Sequence, residues 1–373
     1  MRALLLSQTP GNKIPAFTLN PSFTYTDVLI IAIVFLSGIV LILLIYTLFY
    51  LIIKNKTDSV KGKWRSIINI LIETCLFSED EAETIIIPAG IQKLLKRKSF
   101  RLVLTEELMK ARKSFSGSAG NNLVCLYQQL NLRESSLEKL NSKLWYIKAM
   151  GIQELAGMNQ KEDLDKIYNL ADDKNELVRM EAQLAVVQLS GFDGLKFLDD
   201  LSYPLSEWQQ IKLLDKLPGV HQSSAASISG WLKSGFSSVV LFSLKLIASY
   251  QHFELYACVK QCLSHAEEKV RLQAILTLQE ICTEETASEL IAAYYSENLY
   301  NKLQILRVLK QIGTRDILPF LFTELEKENN QVKVEAARAV SAIGSIKSFE
   351  TFAEAKVYPW NKIISQVVEE MAA

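Results

Sequence analysis

Nothing in this chain has the spacing of a known reacting centre. It has no Gly-rich phosphate loop, no HExxH and no Gly-x-Ser-x-Gly, so the common grammars for nucleotide, catalytic zinc and activated serine are excluded. Histidine is scarce at 3 residues, and His221 and His252 belong to no recognisable set of metal ligands. The 5 cysteines are odd in number and scattered, without a CxxC pair. That excludes a disulfide framework and points to reduced thiols in a reducing compartment. No cofactor is implied. Net charge is missing too, with 41 basic side chains against 41 acidic ones.

Charge is also missing locally. From Val28 to Ile53 there are 26 consecutive residues without one charged side chain. A bilayer core takes roughly 20 apolar helical residues, so the run spans it with some left for tilt. Its main polar or small interruptions are Ser37, Gly38 and Thr47, while Tyr25, Tyr46 and Tyr50 suit the two interfaces. A buried core helix rarely runs so far uncharged, and a cleaved signal peptide is shorter, earlier and followed by a small-x-small site. The expectation is a transmembrane helix over 28–53, with the lipid bilayer as its partner. The tail before it, 1–27, is short and turn-rich, with Pro10-Gly11, Pro15 and Asn20-Pro21.

Flanking charge orients the span. Arg2 and Lys13 are distant from it, whereas Lys54, Lys56, Lys61, Lys63 and Arg65 follow directly. The positive-inside rule then puts the amino terminus outside and everything after Lys54 in the cytoplasm, a single-pass topology. Residues 54–113 hold 13 Lys and Arg against 8 Asp and Glu, while 114–373 hold 26 against 32. A basic collar thus precedes a mildly acidic body, which argues against nucleic acid as a partner.

The collar, 54–116, reads as an amphipathic helix over Ile67–Leu76 and the acidic run Glu79-Asp80-Glu81. Next come Ile85-Ile86-Ile87-Pro88 and Ile91–Leu95, the basic Lys96-Arg97-Lys98 with Arg101, and a helix from Thr105 to Phe115. Lys54, Lys56, Lys61, Lys63, Arg65, Lys96, Arg97 and Lys98 either hold the collar to anionic lipid or serve as topology signal and solvated helix faces. Ser116-Gly117-Ser118-Ala119-Gly120 is the candidate boundary to a body over 117–373.

The body repeats itself. Val270, Ala274, Leu278, Ile281, Ala287 and Leu290 become Asn301, Ile305, Leu309, Ile312, Leu318 and Leu321 after a step of 31 residues. A second such step gives Val332, Ala336, Val340, Ile343, Phe349 and Phe352. One step upstream stand Val239, Ser243, Ile247, Tyr250, Tyr256 and Val259. A step of 92 residues, one short of three periods, reaches Val178, Ala182, Val186, Leu189, Leu195 and Leu198. Steps of 3 and 4 inside each row are helical. A fixed period near 30 holding two amphipathic helices marks a stacked array. Ser206–Leu217 is a weaker copy, interrupted by Pro218-Gly219.

Some constellations have two readings. Cys258, Cys262 and His265 share a helix face and are candidate metal ligands, but Val259 of a core column shares it too, which favours core filling. Asp163-Leu164-Asp165 resembles a short acidic pair used on nucleotide-sugar enzymes, but it lies in helical sequence without a sheet around it and reads as a solvated face. Trp208 opens the irregular copy beside the loop that holds His221. Both are candidate contacts for a protein partner, and the alternative for Trp208 is a filler at the joint. Trp360 is expected to start a capping helix over Asn361–Met371.

The pattern of turn acid, then Val-Arg, then a small residue is Asp172-Asp173, Val178-Arg179 and Ala182. Val270-Arg271 with Ala274 and Val332-Lys333 with Ala336 repeat its second part. It resembles the HEAT-repeat family of α-solenoids, over roughly 140–373. The whole chain resembles bacterial membrane-anchored HEAT-repeat proteins. The resemblance implies an all-α chain: one N-terminal transmembrane helix, then a right-handed α-solenoid of six to seven helical pairs. It also implies an interaction scaffold without catalysis, binding a protein partner in its groove. Arg179 and Arg271 are expected to bridge to turn acids such as Asp172 or Asp173. The rivals are an accessory subunit of a membrane glycan-synthesis or transport complex and a bilin-lyase-like enzyme.

Overall fold

A computed structural model describes residues 25–77, 86–217, 225–327 and 329–344, together with Lys362 and Gln366. The tail before Tyr25, the run Glu79-Asp80-Glu81, Pro218-Gly219, His221, Phe349, Phe352 and Trp360 lie outside the described residues. Of the expected final helix only Lys362 and Gln366 are described, both helical and exposed. Among the described residues there is no strand. The chain forms two compact units, Met1–Thr74 with Ile87–Glu107, and Cys75–Ile86 with Leu108–Ala373.

The first unit is built on α1, Tyr25–Leu76, a single helix of 52 residues. Sequence reasoning expects two helices here, with a second starting near Ile67. That is corrected: no proline lies between Tyr25 and Leu76, and Gly62 costs the helix only about 1 kcal/mol. A break would strip hydrogen bonds from both new ends. At about 1.5 Å per residue α1 is about 78 Å long. Its apolar half is long and apolar enough to cross a membrane, and none of that stretch is buried within the chain. The hydroxyls there are satisfied internally: Ser37 donates to the Ile33 carbonyl and Thr47 to that of Leu43, both at 2.7 Å.

Further along α1 the pattern changes. Ile68, Leu71 and Ile72 form a buried stripe at helical spacing. Trp64 meets Phe100 edge-on at 5.6 Å, and Arg65 pairs with Glu107 at 3.1 Å. Phe100 and Glu107 belong to α3, Lys98–Ser114, which follows α2, Ala89–Leu95. α3 therefore starts seven residues before the expected Thr105. The reason is the buried trio Phe100, Val103 and Leu104, which extends the apolar stripe upstream. Arg101 turns its Nη1 onto the Leu95 carbonyl at 3.1 Å and closes the end of α2.

The second unit alternates long and short helices. The leading helices are α4 (Gly117–Gln129), α6 (Trp145–Gly157), α8 (Glu176–Ser190), α9 (Glu207–Lys216), α11 (Ser237–Tyr250), α13 (Glu268–Glu280), α15 (Leu299–Ile312) and α17 (Asn330–Ile343). Between them lie α5 (Leu132–Leu140), α7 (Leu164–Tyr168), α10 (Ala225–Trp231), α12 (Tyr256–Gln261), α14 (Thr286–Tyr294) and α16 (Leu318–Leu325). After α8 the second element is instead a 3₁₀ stretch, Gly191–Asp200. Gly191 ends α8 at φ +64°, and a Cβ on Gly194 would lie 2.8 Å from the Val187 Cα, so only glycine lets the two elements close.

From α6 onward each leading helix packs on the next: α6 on α8, α8 on α9, α9 on α11, then α13, α15 and α17 in turn. Asn175, Ser206, Asn298 and Asn329 cap their helices by accepting from first-turn N–H groups. The third residue after each cap is Ile147, Val178, Gln209, Val239, Val270, Asn301 and Val332, and all but Ile147 are buried. The spacing is 31 residues throughout, except 30 from Gln209 to Val239, which locates the missing residue. Gln209 stands in an apolar column because it completes a capping box with Ser206 and reaches Gln183 at 3.3 Å. That substitution is why Ser206–Leu217 reads as a poor copy.

The pairs are joined by polar contacts as well as by apolar columns. Arg133–Asp163, Ser202–Asp172, Trp231–Asp199, Arg271–Glu297, Tyr294–Glu324 and Arg307–Glu335 link residues 26 to 32 apart, about one period. The expected bridge from Arg179 to a turn carboxylate is corrected. Its Nη1 donates to the Asp173 backbone carbonyl at 2.7 Å and its guanidinium lies 4.0 Å over the Tyr203 ring. Arg271 likewise donates to the carbonyls of His265 and Ala266 and grips Glu297, at 2.6 Å from Nε. Short turns expose carbonyls that lack helical partners, and these draw the guanidinium fork.

Close helix approach yields one prediction. A Cβ on Gly151 would sit 2.7 Å from the Leu140 nitrogen and 2.8 Å from the Ser136 carbonyl, both backbone. Gly151→Ala should lower the thermal midpoint, with a cost of about 1–3 kcal/mol. Gly230→Ala, where nothing lies within 4 Å, should leave it unchanged or raise it. Equal effects from the two would show that α5 and α6 are not in contact at Gly151.

Candidate functional site

A cleft of about 620 Å³ lies in the second unit, along the leading helices α6, α8 and α9. Small residues line it, Ala156 and Gly157 of α6 and Ala185 of α8. The end of α3 lines it too, where Met109 covers Gly157 and Arg112 and Lys113 follow in the last turn. Lys216, the last residue of α9, also lines it. Gln153, Asn159 and Gln188 supply amides, and Glu181 is the single carboxylate among the described lining residues.

The electrostatics are uneven. Arg112, Lys113 and Lys216 set three cations against Glu181. Arg112 is held in place by donating from Nη1 to the Phe115 carbonyl at 3.0 Å. Lys113 and Lys216 make no ion pair among the described residues. The described lining therefore carries an excess of positive charge.

The sequence-derived candidates fall elsewhere. Trp208 is 58% exposed, with the Lys212 ammonium 4.6 Å from its ring, so the filler reading is corrected. It points outward because it stands two residues after the cap Ser206, one before the buried column. His221 is outside the described residues. In the first unit Lys54, Lys56, Lys63, Arg65, Lys96, Arg97 and Lys98 are exposed and Lys61 is half-buried. Lys96 and Arg97 occupy the turn between α2 and α3. For the cysteine trio, Cys262 is buried and its thiol is pushed up to about 11 by that burial. The His265 Nδ1 accepts from the Glu267 N–H at 3.0 Å.

Asp163 is another correction. Read as a solvated face, it is fully buried, and Arg133 grips it with Nε and Nη2 at 2.7 and 2.9 Å while Lys166 adds 2.8 Å. Burial alone raises its carboxyl, but the hydrogen bonds from Arg133 and Lys166 outweigh it and hold the group below the usual carboxylate range. Beside it, Tyr127 donates to Ser136 at 2.7 Å, Ser136 to Glu154 at 2.6 Å, and Lys139 closes on Glu154. Burial pushes the Tyr127 phenol up. This network satisfies one joint of the array. The signal that reveals it is the 30-residue offset between Arg133 and Asp163, one period.

Leading helices stacked one upon the next, with shorter partners between them, define a helical-repeat array. The chain resembles proteins of the HEAT and armadillo kind. Among solved structures it is similar to YibA of Escherichia coli, with 12% identity, 78% of this chain and 99% of the other covered, and a TM-score of 0.36. It is similar to the CpcE–CpcF complex of phycocyanin lyase from a Nostoc species, at 12% identity, 79% and 97% coverage and a TM-score of 0.24. A designed armadillo repeat protein in complex with a (KR)4 peptide gives 16% identity, 67% and 97% coverage and a TM-score of 0.23. The repeat rests on the chain's own helix pairs, not on likenesses of that size. No protein-family model and no curated protein matches the chain.

Two predictions follow from these sites. A depressed carboxyl stabilises the fold above the ordinary carboxylate range and loses that contribution as pH falls through its native value. Asp163→Asn should therefore cost roughly 1–3 kcal/mol at neutral pH, with the gap from the unchanged protein narrowing below about pH 4 in thermal melts. A pH-independent gap would show that Asp163 is not ionised in the fold. Among the thiols, exposed Cys125 and Cys282 should alkylate in the folded protein, whereas buried Cys75 and Cys262 should react only on unfolding, as read by peptide mass mapping.

Proposed function

We propose that this chain is a membrane-tethered scaffold. Its apolar half-helix, Val28–Ile53, lies in the bilayer with the amino terminus outside, and its helical-repeat body recruits a protein partner at the cytoplasmic face. The observation that carries this reading is α1 itself. An apolar helical face left uncovered by the chain needs another solvent or partner, and its length matches a bilayer. The basic flank from Lys54 to Arg65 supports the orientation. The array supports the scaffold role, since stacked pairs offer extended surface and the cleft offers polar recognition.

Alkaline-washed membranes should retain the full chain, and deletion of 28–53 should release it. Protease added outside intact cells should leave everything beyond Lys54 uncut. Release of the unchanged protein by the wash, or external cleavage after Lys54, would overturn the tether. Purification in detergent after cross-linking should recover a protein at stoichiometric yield, and a membrane enzyme as that partner would narrow the reading to an accessory subunit.

A further inference from the structure

The geometry points to an acidic peptide segment of the partner protein as the occupant of the cleft between α3, α6, α8 and α9. We infer this from charge complementarity, and it rests on the reading of the array as a binding scaffold. Lys113 and Lys216 both line the cleft, one from the last turn of α3 and one from the end of α9, and neither makes an ion pair among the described residues. Arg112 stands beside Lys113, fixed by the Phe115 carbonyl, and its Nε is buried without a hydrogen-bond partner among the described residues. Three cations against one carboxylate give the cleft an excess of positive charge, which an anionic chain offsets.

The small lining residues narrow the class of anion. Ala156, Gly157 and Ala185 give little side-chain bulk, so an extended backbone fits against them; Gln153 carries an amide that pairs with peptide groups, while Gln188 already donates from Nε2 to the Ala156 carbonyl at 3.0 Å and offers its Oε1 as acceptor. The volume of about 620 Å³ accommodates several residues and exceeds what a single inorganic anion fills. Glu181, the single carboxylate among the described lining residues, opposes any bound carboxylate that comes near it. This chain carries its own acidic run, Glu79-Asp80-Glu81 with Glu83, which is the competing occupant.

The test uses the full chain in detergent and three fluorescein-labelled peptides: oligoglutamate, oligolysine and a Gly-Ser peptide of equal length. Fluorescence anisotropy should show binding of the oligoglutamate alone, weakening as salt is raised. The double variant Lys113→Glu, Lys216→Glu should bind it at least about tenfold more weakly, and Glu181→Gln about twofold more tightly. All three positions are on the cleft surface, and an unchanged thermal midpoint shows that the variants fold. Equal binding of the Gly-Ser peptide, or no loss in the double variant, overturns the proposal. So does binding that occurs only after Glu79, Asp80, Glu81 and Glu83 are replaced by neutral amides, which assigns the cleft to the chain's own segment. The anisotropy reads the cleft and the membrane wash reads the tether, so failure of either leaves the other standing.

Discussion

A helix pair has two faces and can cover only one by itself; everything in the body of this protein answers to that constraint. Val178, Val239, Val270 and Val332 are buried because the next pair supplies the missing wall. The same step of about thirty residues governs the polar contacts. Arg133 finds Asp163, Arg271 finds Glu297 and Tyr294 finds Glu324, each in the following copy. Burial of these groups is tolerable only because each finds a charged or hydrogen-bonding partner at that distance along the chain. Apolar columns provide most of the driving force, and polar contacts between copies fix the register.

The apolar part of that scheme was legible in the residues. A row such as Val270, Ala274 and Leu278 survives translation by one period because hydrophobic burial asks only for an apolar side chain of suitable size. Gln209 and Asn301 were illegible for the opposite reason. They occupy core positions through specific hydrogen bonds, Gln209 with Ser206 and Gln183, and Asn301 with Glu297 at 2.8 Å. Such bonds depend on geometry that composition does not record. Asp163 was misread likewise, since its partner Arg133 belongs to the preceding pair and nothing local announces it. Trp208 had two readings, surface contact or core filler, and its place two residues after the cap Ser206 decides for the exposed one.

The collar shows the limits of local signals in another way. Lys, Thr, Ser and Asn between Lys54 and Ile67 neither favour nor forbid a helix strongly, so the chain's continuity there is decided by the absence of any better arrangement for its backbone. The cleft was hidden for a topological reason. Lys113 and Lys216 are far apart in sequence, and one was counted as part of a basic collar. Met109 packs over Gly157, so the end of α3 meets the leading helices and both lysines line the same depression.

The 3₁₀ stretch Gly191–Asp200 gives the body a mechanical character. A 3₁₀ turn rises about 2.0 Å per residue with poorer hydrogen-bond alignment than an α-turn, so it stretches and rewinds at lower energy. The other described 3₁₀ segments, Lys161–Asp163, Phe253–Leu255, Cys262–Ser264 and Arg315–Ile317, have 3 residues each, against 10 here. The longest run of weakly aligned hydrogen bonds among the described residues therefore sits directly before the copy whose step to the next is one residue short, and these two copies depart furthest from the regular pattern.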